Sequence, residues 1–259
     1  MRYDGCEDSS HPFRMTAGDD LKGDITKDTL SDQFGWRIFR IMAEFVDGFE
    51  LIQGLKKTVS FFGSARFAED DHHYKEAREL AYKLGHAGYT IVTGGGPGIM
   101  EAGNRGAMEA GAQSVGLNIQ LPQEQALNRY TTHSQGFHYF FTRKVMLSFA
   151  AQAYVFFPGG FGTLNELTEL LMLVQTRKID PLPIVLVGKD FWRPFIKWVE
   201  EDMLKQHDAI DTKDLEIFRL VQDVNEAYEI IRNIDLCPPN ASKCWYGYQP
   251  HHVRGVKSK

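Results

Sequence analysis

The chain has little cysteine, no excess of positive charge and no long apolar run, and each shortage removes a class of function. Only three cysteines occur in 259 residues, Cys6, Cys237 and Cys244. An odd number near the chain ends gives no disulfide framework and fits a reducing, cytoplasmic setting. Cys237 and Cys244 with His251 and His252 match no familiar zinc spacing, so no metal is expected. Lysine and arginine number 29 against 34 aspartates and glutamates, a net charge of −5 with histidine neutral. Proteins that bind nucleic acid or anionic membranes normally carry a basic excess, so neither partner is expected. The longest apolar stretches, such as 150–158, fall well short of the ~18 residues a membrane span needs. The opening MRYDGCEDSSHPF contains no apolar core of a secretory signal.

What the chain does have is glycine, 24 residues, above the roughly 7% average of soluble proteins. Its arrangement follows the organisation of the chain. Residues 1–30 are polar and without apolar periodicity, and read as a mobile N-terminal arm. Ser31 or Asp32 is placed to cap a helix over 32–55, in which Phe34, Ile38, Ile41, Met42, Phe45, Phe49 and Ile52 recur at three- and four-residue steps. Beyond it, short β-rich runs alternate with amphipathic helices. The strands are expected at 58–62, 90–93, 114–119, 154–157, 184–187 and 217–221. The helices are expected at 70–88, 98–111, 142–151, 163–177, 191–206 and 225–234, with a loop after 119. Runs such as TIVT, AYVFF and PIVLVG are continuously apolar, as strands covered by helices on both faces must be. The pattern predicts a single doubly wound α/β domain over 31–235 with a mostly parallel sheet, followed by a poorly packed tail, 236–259.

Three glycine-containing turns fall where a parallel strand ends: Gly63-Ser64-Ala65-Arg66, Gly94-Gly95-Gly96-Pro97-Gly98 and Pro158-Gly159-Gly160-Phe161-Gly162-Thr163. Ligands of open α/β sheets bind in the crevice outside the carboxyl ends of the strands. Glycine lets backbone N–H groups approach an anion, and a helix N-terminus adds partial positive charge. A phosphate-bearing ligand follows, although the spacing is neither a P-loop nor a clean dinucleotide fingerprint. Any one such turn is equally explained by tight strand-to-helix geometry.

Charged residues point to the same edge. Glu166 follows Thr163 by three residues. It reads either as the far member of a capping box or as a carboxylate beside a bound phosphosugar, able to stabilise cationic charge at the anomeric carbon or activate water. Arg143 and Lys144 open another helix, where cations oppose the macrodipole. An anionic ligand explains them, and so does simple solvation.

The stretches SFFGSARF, TGGGPGIMEAGNRGA, LPQEQALNRY, FFTRKVML and PGGFGTLNELTE resemble the Lonely Guy family. These are cytokinin riboside 5′-monophosphate phosphoribohydrolases, also labelled lysine decarboxylases. The resemblance runs from about Trp36 to Ile234 and includes the helix WRIFRIMAEFVDGFELI of longer bacterial members; the PGGxGTxxE motif after an Arg-Lys pair is its most specific part. It implies a Rossmann-like fold and hydrolysis of the N-glycosidic bond of a nucleoside 5′-monophosphate, AMP or an N6-substituted AMP. It implies that Arg143 and Glu166 form the catalytic pair and that Gly159, Gly160, Gly162 and Thr163 bind phosphate. Gly63, Ser64, Gly95, Gly96 and Gly98 would line the nucleotide pocket. Glu101, Asn104 and Asn128 stand in family motifs, and Glu101 and Asn128, with Lys144, are expected on the substrate side. No cofactor is implied; a decarboxylase would need a pyridoxal-phosphate lysine and its pyridinium partner. A homo-oligomer, dimer or hexamer, is expected. The alternatives are a non-catalytic nucleotide or molybdenum-cofactor carrier on the same fold and, further off, a nicotinamide oxidoreductase.

Overall fold

The computed structural model describes residues 27–120 and 127–233, of which 27–34 are described as backbone alone. Most of the expected arm, the tail with Cys237, Cys244, His251 and His252, and the start of the LPQEQALNRY motif lie outside the described residues. The chain divides into two compact units, Met1–Met42 and Ala43–Lys259. The first contains the N-terminal part of helix α1 (Lys27–Gln53). That helix starts before Ser31 and Asp32, which lie within it instead of capping it, because no proline or glycine interrupts 27–34.

The second unit is built on seven strands: β1 (Thr58–Phe62), β2 (Thr90–Thr93), β3 (Ser114–Ile119), β4 (His133–Phe137), β5 (Ala153–Phe156), β6 (Ile184–Val187) and β7 (Phe218–Val221). They form one sheet in the order β4-β3-β2-β1-β5-β6-β7, and every pairing is parallel. Helices α2 (His72–His86), α3 (Ile99–Glu109) and α7 (Val224–Arg232) supply residues such as Tyr74, Leu80, Ile99 and Ile231 to the core on one face. The C-terminal part of α1, with α4 (Phe140–Phe149), α5 (Phe161–Gln175) and α6 (Lys189–Trp198), covers the other through Ile52, Met146, Leu167 and Trp192. Strands β1, β2, β5 and β6 are buried along their whole length, which is why their sequences do not alternate. The fold is therefore the doubly wound, parallel Rossmann-like sheet expected.

Differences from expectation have local causes. Strand β4 falls in the segment expected to be a loop after 119. Its HSQGF sequence is polar and mostly exposed because it is an edge strand, paired only to β3. The helix expected over 191–206 is α6 followed by a π-helical stretch, Val199–Gln206. Helix α5 starts at Phe161 with Gly160 at its N-cap, not at Thr163.

Candidate active site

The chain order runs outward from β1 through β2, β3 and β4 on one side, then returns to β5 beside β1 and continues outward on the other. The β1/β5 boundary is thus the topological switch point, where the loops diverge and leave a crevice. The glycine turns sit there. They are also joined to one another: the Ser64 N–H donates to the Pro158 carbonyl at 3.0 Å, and the Ile99 N–H donates to the Ser64 carbonyl at 3.0 Å. The join needs Gly98, whose φ is +68° and where a β-carbon would run into the Ser64 carbonyl and Ala65.

A cavity of about 690 Å³ opens between these turns and the first residues of α4 and α5. Gly63, Ser64, Gly160, Gly162, Thr163, Arg143 and Glu166 line it. The α5 N-terminus has no side-chain cap. No β-carbon at Gly160 or Gly162 would meet any atom within 4 Å, so this helix end faces open space with its N–H groups free to take an anion. Because α5 begins at Phe161, Glu166 lies in its second turn and the capping box with Thr163 is not formed.

Arg143 comes from the first turns of α4. Its Nε donates to the Leu117 carbonyl within β3, 2.7 Å away, and one Nη lies 3.5 Å from the Gly94 carbonyl. A β-carbon at position 94 would collide with the guanidinium, so that glycine makes room for the arginine. Burial pulls the Arg143 pKa down from its ordinary value, and nearby Glu166 opposes that shift. Conversely, burial raises the Glu166 carboxyl to about 7, against the opposing pull of Lys144 and Arg143. The guanidinium and the carboxyl group thus face the same crevice.

Other expected site residues do different work. Lys144 pairs with Glu169 at 2.5 Å and is not part of the lining. Glu101 accepts a hydrogen bond from the buried Tyr74 hydroxyl at 3.0 Å. Asn128 is buried behind the second glycine turn, where its backbone N–H bonds the Gly95 carbonyl at 2.8 Å and its amide bonds the Gly96 carbonyl at 3.1 Å. Gly95, Gly98 and Gly159 allow the close packing of the turns, and the Gly96 carbonyl accepts from Asn128; none of the four lines the cavity. The sequence reasoning missed Arg66, Met100, Phe140, Leu147, Phe161 and Asn165, all of which line the cavity. Phe161 is 91% exposed at the cavity rim. Among the described residues no group of three or more His, Cys, Asp or Glu is placed to hold a metal, and no helix is long and apolar enough to cross a membrane.

Such a sheet and crevice define a Rossmann-like α/β protein with an anion-complementary pocket at its switch point. A family model described as possible lysine decarboxylase matches residues 100–231. A cytokinin riboside 5′-monophosphate phosphoribohydrolase from rice, Oryza sativa subsp. japonica, is 26% identical over 188 residues, covering 69% of this chain and 74% of that protein. The chain belongs to this family, the Lonely Guy family. The X-ray structure of the structural-genomics target TM1055 superposes with a TM-score of 0.53 at 27% identity, covering 69% of this chain and 99% of that one. A molybdenum cofactor carrier protein from Chlamydomonas reinhardtii shares the fold, with a TM-score of 0.51 at 21% identity over 68% of this chain and 96% of that one.

Proposed function

We propose that the protein hydrolyses the N-glycosidic bond of a nucleoside 5′-monophosphate, AMP or an N6-substituted AMP, to free base and ribose 5-phosphate. The observation that carries this reading is that Arg143 and Glu166 share one crevice with the uncapped N-terminus of α5. The name of the rice relative supports it.

The phosphate sits on the turn Gly159–Thr163 at the α5 N-terminus, against Gly63 and Ser64. That places the ribose over Glu166. As the glycosidic bond breaks, its electron pair leaves with the base and the ribose ring becomes cationic. The Glu166 carboxylate stabilises that charge and orients a water, whose oxygen bonds the anomeric carbon while its proton passes through Glu166 to the base. Arg143 positions the phosphosugar and eases departure of the base. Preorganised charge of this kind contributes ~3 kcal/mol per group. Met100, Phe140, Leu147 and Phe161 give the cavity its apolar lining for the base. A pyridoxal-dependent decarboxylation would need a lysine in the crevice, and none lines it among the described residues. The working form is a cytoplasmic homo-oligomer, for which exposed Trp36 and Phe39 on α1 supply apolar surface.

Base release from AMP, GMP, CMP and isopentenyl-AMP tests the proposal, with Glu166→Gln as the control. Release from the adenine nucleotides by the parent protein alone is expected. A preparation that releases no base but carries pterin fluorescence or molybdenum would move the reading to a cofactor carrier.

A further inference from the structure

Helix α1 precedes the first strand and lies outside the matched residues 100–231, yet one of its side chains reaches the candidate site from behind. Glu44 is a buried carboxylate, 8% exposed, and buried carboxylates are rare unless paired. Its partners are not cations. Oε1 accepts from the His138 N–H at 2.8 Å, and Oε2 accepts from the Tyr139 N–H at 3.4 Å and from the Thr142 hydroxyl at 2.5 Å. The two N–H donors lie just before α4 and the hydroxyl in its first turn; the helix's own N-cap residue, Tyr139, provides no side-chain cap. Glu44 therefore braces the entry to α4 from more than ninety positions away.

The next residue after Thr142 is Arg143, and its N–H closes the first turn on the Tyr139 carbonyl at 3.2 Å. The contact between the helices is fixed one turn further along, where Gly48 leaves room for the Met146 thioether; a β-carbon there would fall 2.5 Å from Sδ. We infer that Glu44 is a positioning residue for Arg143: it locks the first turn of α4 and so aims the guanidinium at the crevice. A carboxylate beside this helix end also interacts favourably with the positive end of α4.

In catalytic terms the inference rests on the hydrolase reading above, so the test includes a readout that does not depend on turnover. The Arg143 Nε–H, bonded to the Leu117 carbonyl, gives a ¹⁵N–¹H resonance assignable by its loss in Arg143→Lys. In Glu44→Ala that resonance is expected to shift and exchange faster, with Glu44→Gln, which keeps one acceptor, in between. In turnover, Glu44→Ala is expected to lower kcat by ~10–100-fold, since small misplacements of a reacting group cost that much. KM should change by no more than about threefold, and the loss should vanish in an Arg143→Ala background, because residues acting as one unit are not additive. Thr142→Val removes one of the three donors without touching α1, and should reproduce a smaller version of both effects. An unmoved Arg143 resonance in folded Glu44→Gln and Thr142→Val proteins would overturn the inference, as would a loss that adds to that of Arg143→Ala. A parent protein that releases no base would sink the hydrolase reading alone, leaving the resonance to decide the coupling.

Discussion

Glu166 sits with its ionisation balanced near neutrality because the crevice strips water from it while Lys144 and Arg143 pull the other way. Two measurable consequences follow at this one residue. If the carboxylate is the working form, kcat/KM for base release rises with pH through about 7 and then levels; Glu166→Gln removes that limb and lowers turnover by ~10³-fold or more while nucleotide still binds. Stability moves in the opposite direction. Below the ordinary carboxyl value of 4.5 the group is protonated in both folded and unfolded chains, and above about 7 it is ionised in both. Between those values only the folded chain keeps its proton, so stability falls as pH rises and the full penalty is present above 7. Glu166→Gln should therefore stabilise the protein by ~1–3 kcal/mol at pH 8 and by little at pH 4, read from urea unfolding at the two pH values. Equal effects at both would show that desolvation of the charge is not the cause. At this scale the sequence was informative where chemistry is unusual for its place: a cation early in a helix, a carboxylate after a glycine turn. Lys144, Glu101 and Asn128 bond neighbouring protein groups, and a polar residue near a motif reads the same whether it faces a ligand or a neighbouring side chain.

The elements that hold those residues depend on a polar network with no solvent access. The Asn104 carbonyl oxygen accepts from the Thr93 hydroxyl at 2.6 Å and the Asn128 amide at 2.9 Å, and its own amide donates to Ser114 Oγ at 2.9 Å and the Val115 carbonyl at 3.2 Å. Through Asn128 it ties α3, β2 and β3 to the Gly94–Gly98 turn. Asn104→Ala should cost at least ~2 kcal/mol in chemical unfolding, because several buried partners are left unmet at once. It should also weaken nucleotide binding by loosening the turn; a loss under ~0.5 kcal/mol would mean the network is dispensable. Element type was legible where strands are mostly apolar, and β1, β2, β3 and β6 fall on their expected residues. Strand β4 was not legible, since an exposed edge strand lacks the apolar signal. Neither was the true start of α5, since Gly160, Gly162 and Thr163 all suit a helix start and Gly160 takes the N-cap. The bracing of α4 by Glu44 was invisible for a different reason, as the carboxylate and the helix are brought together only by the tertiary fold.

For the molecule as a whole, a net charge of −5 is reconciled with an anionic ligand by placement. The N-terminus of α5 and the guanidinium of Arg143 make one edge of the sheet locally positive. The excess glycine has the same explanation, since the glycines that matter cluster at the switch point between β1 and β5. Trp36 and Phe39 on α1 are largely exposed, apolar surface that self-association would cover. Light scattering should give a mass of at least two chains, and Trp36→Glu with Phe39→Glu should reduce it; a monomeric parent protein would remove oligomerisation from the account.

The central claim is tested most directly by chromatography of AMP incubated with the purified protein. The account predicts adenine and ribose 5-phosphate in equal amounts from the parent protein and neither from Glu166→Gln. Intact AMP after prolonged incubation with a folded, nucleotide-binding parent protein, across the adenine nucleotides tried, would contradict it.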